Sequence, residues 1–418
     1  MIESLKKTLK ILISYSATFL KWAIFAIIVG VVGGAVGAVF ANTIALVTDV
    51  REANSWLIYL LPIGGVIIAA VYHFLKVRGF GTNQVFESVR EEGNVPFLLA
   101  PAIYLGSAIT HLLGGSAGKE GAALQLGGSI ASGMGKIMGL DAKNRHIMIM
   151  CGMSAVFSAV FGTPLCATVF AVEVVSVGYI YTFAMFPCLV SSLSAYSMSK
   201  LMGVHGEHFN VAIVPETDWL MALKVIAVAV IAAVVSIIFC KAMHGTHHLF
   251  AKIKNEYIRA AVGGAIIIAL TLLVGNTDYN GGGLHIIEAV FNEGNVEYEA
   301  FLLKIVFTAI TIGAGFKGGE IVPTLFIGAT LGGAVGSLIG LPIAFAAALG
   351  IAAMFCGVTN CPLATILLCL ELFGAKGLIF YVLAALLSFS LSGYYSLYTG
   401  QKIVFSKISD EIIDTSGH

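Results

Sequence analysis

Apolar residues run along this chain in long blocks. The blocks lie at roughly 11–47, 56–75, 96–117, 122–139, 146–161, 164–203, 218–242, 258–275, 300–315, 321–340, 342–357, 362–373 and 377–398. A helix that crosses a bilayer on its own needs about 20 apolar residues. Several blocks are shorter, and Gly or Pro interrupts others. Such breaks are tolerated at membrane depth where protein covers the freed backbone or where it lines a polar site. The pattern predicts an all-α, polytopic membrane protein built from short, interrupted helices, as in a transporter.

Composition agrees. Of the 418 residues, 58% are hydrophobic and 11% charged, and the mean hydropathy is +0.95. Soluble domains carry about 25% charged residues, so lipid is the solvent this chain is built for and the cell membrane its place. Its net charge of zero gives nucleic acid no footing as a partner. Lys6, Lys7 and Lys10 precede the first block and read as the basic cytoplasmic flank of an anchor. Seven cysteines sit in apolar runs without zinc or disulfide spacing and read as small packing residues.

The chain repeats itself. Glu87 to Val95 (ESVREEGNV) matches Glu288 to Val296 (EAVFNEGNV) at an offset of 201 positions. At that offset Gly118-Lys119-Glu120-Gly121-Ala122 meets Gly319-Glu320-Ile321-Val322-Pro323, and Gly127 meets Gly328. The offset then becomes 198: Gly152 meets Gly350, Phe157 meets Phe355, Pro164-Leu165 meets Pro362-Leu363, and Glu173 meets Glu371. Two homologous halves follow, about 20–200 and 218–398, forming a single transport domain over 1–418. Paired halves with broken helices at matching places point to a substrate site between them.

Four motifs carry candidate chemistry. In Gly114 to Ala122 a glycine-rich break opens a helix, whose unpaired N–H groups and dipole favour an anion. Glu120 falls there, and a carboxylate in a membrane costs several kcal/mol unless compensated. Glu120 either occupies an anion site itself or forms an interfacial pair with Lys119. The repeat partner, Gly313 to Pro323, offers a second such helix start, with Glu320 either at the site or paired to Lys317. Gly79-Phe80-Gly81-Thr82-Asn83-Gln84 is a third, weaker turn before an amphipathic helix. Tyr394, Tyr395 and Tyr398 read as an interfacial aromatic belt or as hydroxyls seeking a partner. His244, His247 and His248, and His205 with His208, lack the companions a metal site needs, and His111 reads as a hydrogen-bonded packing residue. No nucleophile constellation supports an enzyme, and no cofactor or metal is expected.

In this order the segments resemble the CLC family of anion channels and proton-coupled antiporters. Gly79 to Gln84 is similar to its first anion loop, Gly118 to Ala122 to its gating-glutamate loop, Phe161 to Glu173 to its dimer-side helix region, and Gly319 to Pro323 to its third loop. Lys119 and Ala122 stand where the family usually has Arg and Pro.

The resemblance implies inverted halves, a homodimer with one pore per subunit, Glu120 as gate and proton carrier, and Tyr398 beside the anion. It implies anion contacts by Gly79, Phe80, Gly81, Thr82, Asn83, Gly118, Lys119, Gly121, Gly319, Glu320, Ile321 and Val322. The short tail after Gly400 implies no cytoplasmic regulatory domain. Phe80 replaces a serine common in chloride-handling members, Val174 stands at the internal proton-relay glutamate, and Gly318-Gly319-Glu320 replaces a Gly-x-Phe pattern. These departures resemble the bacterial fluoride-exporting branch, although Val322 stands where that branch often has Thr. Fluoride/proton antiport is the expectation. Chloride as the anion and a passive channel are the alternatives.

Overall fold

The computed structural model describes residues 2–417. In the first half, the helices are α1 (Ile2–Ala53), α2 (Leu61–Phe74), α3 (Thr82–Arg90), α4 (Leu99–Leu112), α5 (Glu120–Ile137), α6 (Ala142–Phe161), α7 (Pro164–Glu173) and α8 (Thr182–Leu201). The second half repeats the order with α9 (Trp219–Ala251), α10 (Glu256–Val274), α11 (Leu284–Asn292), α12 (Ala300–Gly313), α13 (Ile321–Ile339), α14 (Ile343–Thr359), α15 (Pro362–Phe373) and α16 (Leu378–Leu391). A small sheet joins them. Strand β1 (Ser176–Val177) pairs in parallel with β2 (Lys402–Phe405), which pairs antiparallel with β3 (Ile412–Ser416).

The chain is a multi-pass membrane protein. Among the described residues six helical spans are long and apolar enough to cross a bilayer, and six shorter apolar helices accompany them. Outward faces are apolar: Leu220, Leu223, Ile226, Val230, Val234 and Ile238 form an exposed stripe along α9. Water would penalise such a surface, whereas lipid tails meet it without cost.

The repeat is structural. Helices α4 and α12 have 14 residues each, and α3 and α11 have 9 each. Helix α6 has 20 residues and α14 has 17, which explains the change of offset: the second copy lacks three residues, nearly one turn. The matched glycines are packing positions. A Cβ on Gly127 would fall 2.0 Å from the Gly152 carbonyl oxygen, and one on Gly350 would fall 2.0 Å from that of Gly328. Backbones therefore touch in the α5–α6 and α13–α14 pairs, a contact only glycine permits.

The matched glutamates cap each other's helices. Both Glu371 oxygens accept from the N–H groups of Leu165 and Cys166, each at 2.8 Å. Both Glu173 oxygens accept from Leu363 and Ala364, at 3.1 and 2.8 Å. Each glutamate ends one helix and caps the start of the other, so α7 and α15 lie antiparallel. Equivalent helices running in opposite directions make the halves inverted copies.

Two features depart from the apolar pattern. The block 164–203 is two helices, parted where Ser176 and Val177 pair with the C-terminal segment and Gly178 takes φ +83°. The sheet itself is an addition to the all-helical expectation. The predicted first block is one continuous helix with its N-terminal extension, α1.

Glu173→Ala should destabilise the protein by about 2 kcal/mol or more, because one buried and one part-buried backbone donor lose their acceptor. Glu173→Gln, which keeps one acceptor oxygen, should lose roughly half as much. Thermal unfolding in detergent, compared across the two variants, checks the order.

Candidate functional site

The starts of α5 and α13 meet at the centre of the molecule. Gly118 N–H donates to the Gly319 carbonyl and Gly319 N–H to the Gly118 carbonyl, both at 2.7 Å. Glycine is required by the closeness: a Cβ on Gly319 would lie 2.3 Å from the Gly121 nitrogen, and one on Gly318 2.4 Å from the Ala117 Cβ. Each loop is also sewn to the opposite half. Ser116 N–H donates to Thr311 Oγ1 on α12 at 3.1 Å, and Lys317 N–H donates to Thr110 Oγ1 on α4 at 3.2 Å. These two bonds are copies of one another at the 201-residue offset, since 110 pairs with 311 and 116 with 317.

Two cavities approach this junction. The first, of about 370 Å³, is lined by Gly79, Phe80, Gly81, Thr82, Asn83, Gln125, Gly318, Glu320 and Tyr398, with Arg78, Arg259 and Lys317 supplying positive charge. The second, of about 320 Å³, is lined by Gly118, Lys119 and Val322, with Arg51, His111 and Glu207. Arg51 and Arg78 flank the apolar span Ser55–Phe74, so the cavities open at opposite ends of it. The glycine bridge is the floor between them. Gly121, Gly319 and Ile321 lie in that floor and line neither cavity.

Glu120 lies in the floor too. It is 0% exposed and lines neither cavity. Its Oε2 accepts the Lys119 backbone N–H at 3.1 Å, while Oε1 is buried without a protein partner. Five more polar atoms share that condition in the lining of the first cavity: Tyr72 Oη, Gln125 Oε1, Arg259 Nε, Glu320 Oε2 and Tyr398 Oη. Buried polar atoms without partners are rare, and each asks for an explanation. Gathered around one barrier, they mark a place suited to a species that the protein itself does not supply. The Tyr398 ring is fixed edge-on against Phe86 on α3, with centroids 5.1 Å apart. Gln125 Nε2 donates to Thr82 Oγ1 at 3.0 Å, which leaves the threonine hydroxyl hydrogen free to donate elsewhere.

Other sequence candidates are placed as follows. Asn83 Oδ1 accepts from Gly400 N–H at 3.0 Å, and Gly81 N–H donates to Gln84 Oε1 at 2.9 Å, so both brace the first loop. Lys119 pairs with Glu207 at 3.7 Å, not with Glu120. Lys317 lies over the Tyr72 ring at 4.3 Å and forms no ion pair with Glu320. His111 is buried, with Nδ1 2.8 Å from the Ser107 carbonyl oxygen. Among the described residues no His, Cys, Asp or Glu cluster could hold a metal.

The sequence reading passed over several polar residues. Lys304 is 0% exposed within α12 and donates to the carbonyls of Gly281 (2.8 Å) and Tyr279 (3.2 Å). Asn280 Nδ2 donates to the Gly114 carbonyl at 2.7 Å, so this loop of the second half grips the Glu120 loop of the first. The available signal was a single lysine inside the apolar run 300–315, because an ionisable residue at membrane depth is a functional candidate by default. Gln125 and Glu207 carried no such signal.

Inverted halves, broken helices meeting head to head, and a buried carboxylate between two cavities define a membrane transport protein. The family profile for the voltage gated chloride channel matches residues 64–393, and the chain belongs to that family, the CLC proteins. A chloride/fluoride channel protein of Pseudomonas syringae pv. tomato is 33% identical over 400 residues, covering 93% of this chain and 87% of its own. An H(+)/Cl(-) exchange transporter of Cronobacter sakazakii is 27% identical over 358 residues, covering 78% and 74%. The crystal structure of a CLC-type fluoride/proton antiporter matches with a TM-score of 0.89 at 32% identity, covering 92% of this chain and 98% of that one. A slow cyanobacterial Cl⁻/H⁺ antiporter shares the fold, with a TM-score of 0.76 at 20% identity.

Gly319→Ala should lower the melting temperature in detergent by several degrees, because its methyl group must displace the α5 backbone. Gly81→Ala should leave it nearly unchanged. Gly81 has an extended backbone with φ −158°, and a Cβ there meets nothing closer than 3.5 Å.

Proposed function

We propose that this protein exchanges a small inorganic anion, fluoride, for protons, with Glu120 as both the gate and the proton carrier. The observation that carries the reading is the position of Glu120, fully buried in the floor between two oppositely placed cavities with one oxygen unpartnered. In this place its carboxylate substitutes for an anion at the start of α5 and blocks the path. Protonation removes the charge that the helix start attracts, so the side chain can leave and an anion can take its place. One proton and one anion then use the same position in turn, which is the condition for exchange.

The surroundings suit a strongly hydrated anion. Fluoride gives up its water only to strong donors. Tyr398 Oη and the Thr82 hydroxyl can donate from the first cavity, and the starts of α3, α5 and α13 add backbone N–H groups. The Phe80 ring contributes its positive edge. The similar structure of a fluoride/proton antiporter supports this anion, and the Pseudomonas syringae relative is named for chloride and fluoride alike. One chain builds both cavities and the floor. Each copy therefore carries its own pathway within a single transport domain, consistent with a homodimer in the cell membrane.

Liposomes loaded with fluoride or chloride, with a pH electrode outside, test the proposal. Fluoride efflux with stoichiometric proton uptake is the expected result; chloride efflux without proton movement would make the protein a channel. Glu120→Gln should abolish proton uptake, since an amide carries no exchangeable charge, and uptake that persists would remove Glu120 as the carrier. Phe80→Ala and Phe80→Ser should each lower the preference for fluoride over chloride. Unchanged selectivity in both would take Phe80 out of the filter.

A further inference from the structure

The segment joining the halves, 202–218, runs over the Glu120 side of the molecule and is pinned along its course. Gly206 lies against Gly162, where a Cβ on Gly162 would come within 2.3 Å of the Gly206 Cα. His208 Nδ1 contacts the Glu371 carbonyl oxygen at 3.0 Å, and Phe209 N–H donates to the Leu372 carbonyl at 3.0 Å. Phe209 stacks on Phe291 with ring centroids 4.9 Å apart. These contacts hold Glu207 in the wall of the second cavity, 3.7 Å from the Lys119 ammonium. Both side chains are mostly shielded, at 17% and 20% exposed.

Lys119 immediately precedes Glu120 and has two carboxylates in its neighbourhood. An ammonium paired with Glu120 would favour the ionised form of that carboxylate and resist its protonation. We infer that Glu207 is a positioning residue for the gate: the inter-half linker delivers its carboxylate to Lys119, draws the ammonium away from Glu120, and so keeps Glu120 free to take up a proton. This rests on the reading of Glu120 as the gate. The charged groups that act on Glu120 are Lys119 from its own loop and Glu207 from the linker, and Tyr398 from the C-terminal segment is near both Glu120 and Glu320 of the start of α13. Arg51 and His111 line the second cavity together with Lys119 and Glu207.

The sign of the effect follows from these charges. Glu207→Gln removes a negative charge and releases Lys119 towards Glu120, so protonation of the gate requires more acid. Lys119→Met removes the positive charge and leaves Glu207, so protonation becomes easier. The double variant removes both and returns the gate close to its original balance. A simple loss of structure would lower flux at every pH without moving the midpoint in opposite directions.

The test is fluoride efflux from liposomes against pH, with protein-free liposomes subtracted, for the wild type, Glu207→Gln, Glu207→Asp, Lys119→Met and Glu207→Gln/Lys119→Met. Glu207→Gln should shift the midpoint of activity by about one pH unit to the acid side, the lower end of what a nearby charge does to a carboxylate. Lys119→Met should shift it to the alkaline side, and the double variant and Glu207→Asp should lie near the wild type. An unmoved midpoint in Glu207→Gln, or a double variant that stays as acid-shifted as Glu207→Gln, overturns the inference. If Glu207→Gln does not fold, an acid shift or no shift in Lys119→Met overturns it equally. The wild type, run with a pH electrode outside, tests antiport separately. Anion flux without proton movement sinks the antiport reading and leaves the pH midpoints to decide the role of Glu207.

Discussion

The architecture hangs on two hydrogen bonds between Gly118 and Gly319. Each is an ordinary N–H···O=C bond at 2.7 Å, and in water such a bond would contribute about 1 kcal/mol. At membrane depth the alternative is an unpaired peptide group in a medium that cannot solvate it, which costs several times more. The broken helix starts of the two halves are therefore obliged to satisfy each other. Because they must come within bonding distance, side chains are excluded from the junction, and this accounts for the glycines clustered on both loops.

That constraint places the chemistry. Once the two loops are joined, α5 and α13 begin at one point and their free N–H groups face a common region. A carboxylate on the first residue of α5 then lies in the barrier itself. Supporting bonds follow the same two-fold logic: Thr110 and Thr311 receive equivalent donors from opposite loops, and Glu173 and Glu371 cap each other's helices. A transporter assembled from inverted copies acquires both faces of its site from one set of local rules. The copies differ at single positions, and at the helix starts the difference is large: Glu120 is matched by Ile321, and Lys119 by Glu320. The site is asymmetric within a symmetric frame.

Much of the frame was legible in the residues. The apolar blocks followed the helices because lipid selects for apolar outer faces whatever the tertiary arrangement. The self-match of Glu87–Val95 with Glu288–Val296 located the repeat, and the glycine runs located both helix breaks, since Gly and Pro act on the backbone locally. Glu120 stood out because a carboxylate within apolar sequence needs a reason. Partners did not stand out. Lys119 and Glu120 are neighbours in sequence and invited pairing, yet the ammonium meets Glu207 from the inter-half linker, 88 positions away. Lys317 likewise faced Glu320 on paper but rests on the Tyr72 ring.

By itself the sequence determined the solvent, the helical class, the duplication and the position of the carboxylate at a helix start, because each depends on composition or on backbone rules acting over a few residues. Only the tertiary structure decided that the halves run in opposite directions, that Gly118 and Gly319 bond, that two cavities stop on either side of Glu120, and that Gln125, Lys304 and Glu207 belong to the same region. Those are relations between segments far apart in the chain. They follow from which buried polar groups can reach one another once lipid has denied them water, and no periodicity along a single strand of sequence encodes that.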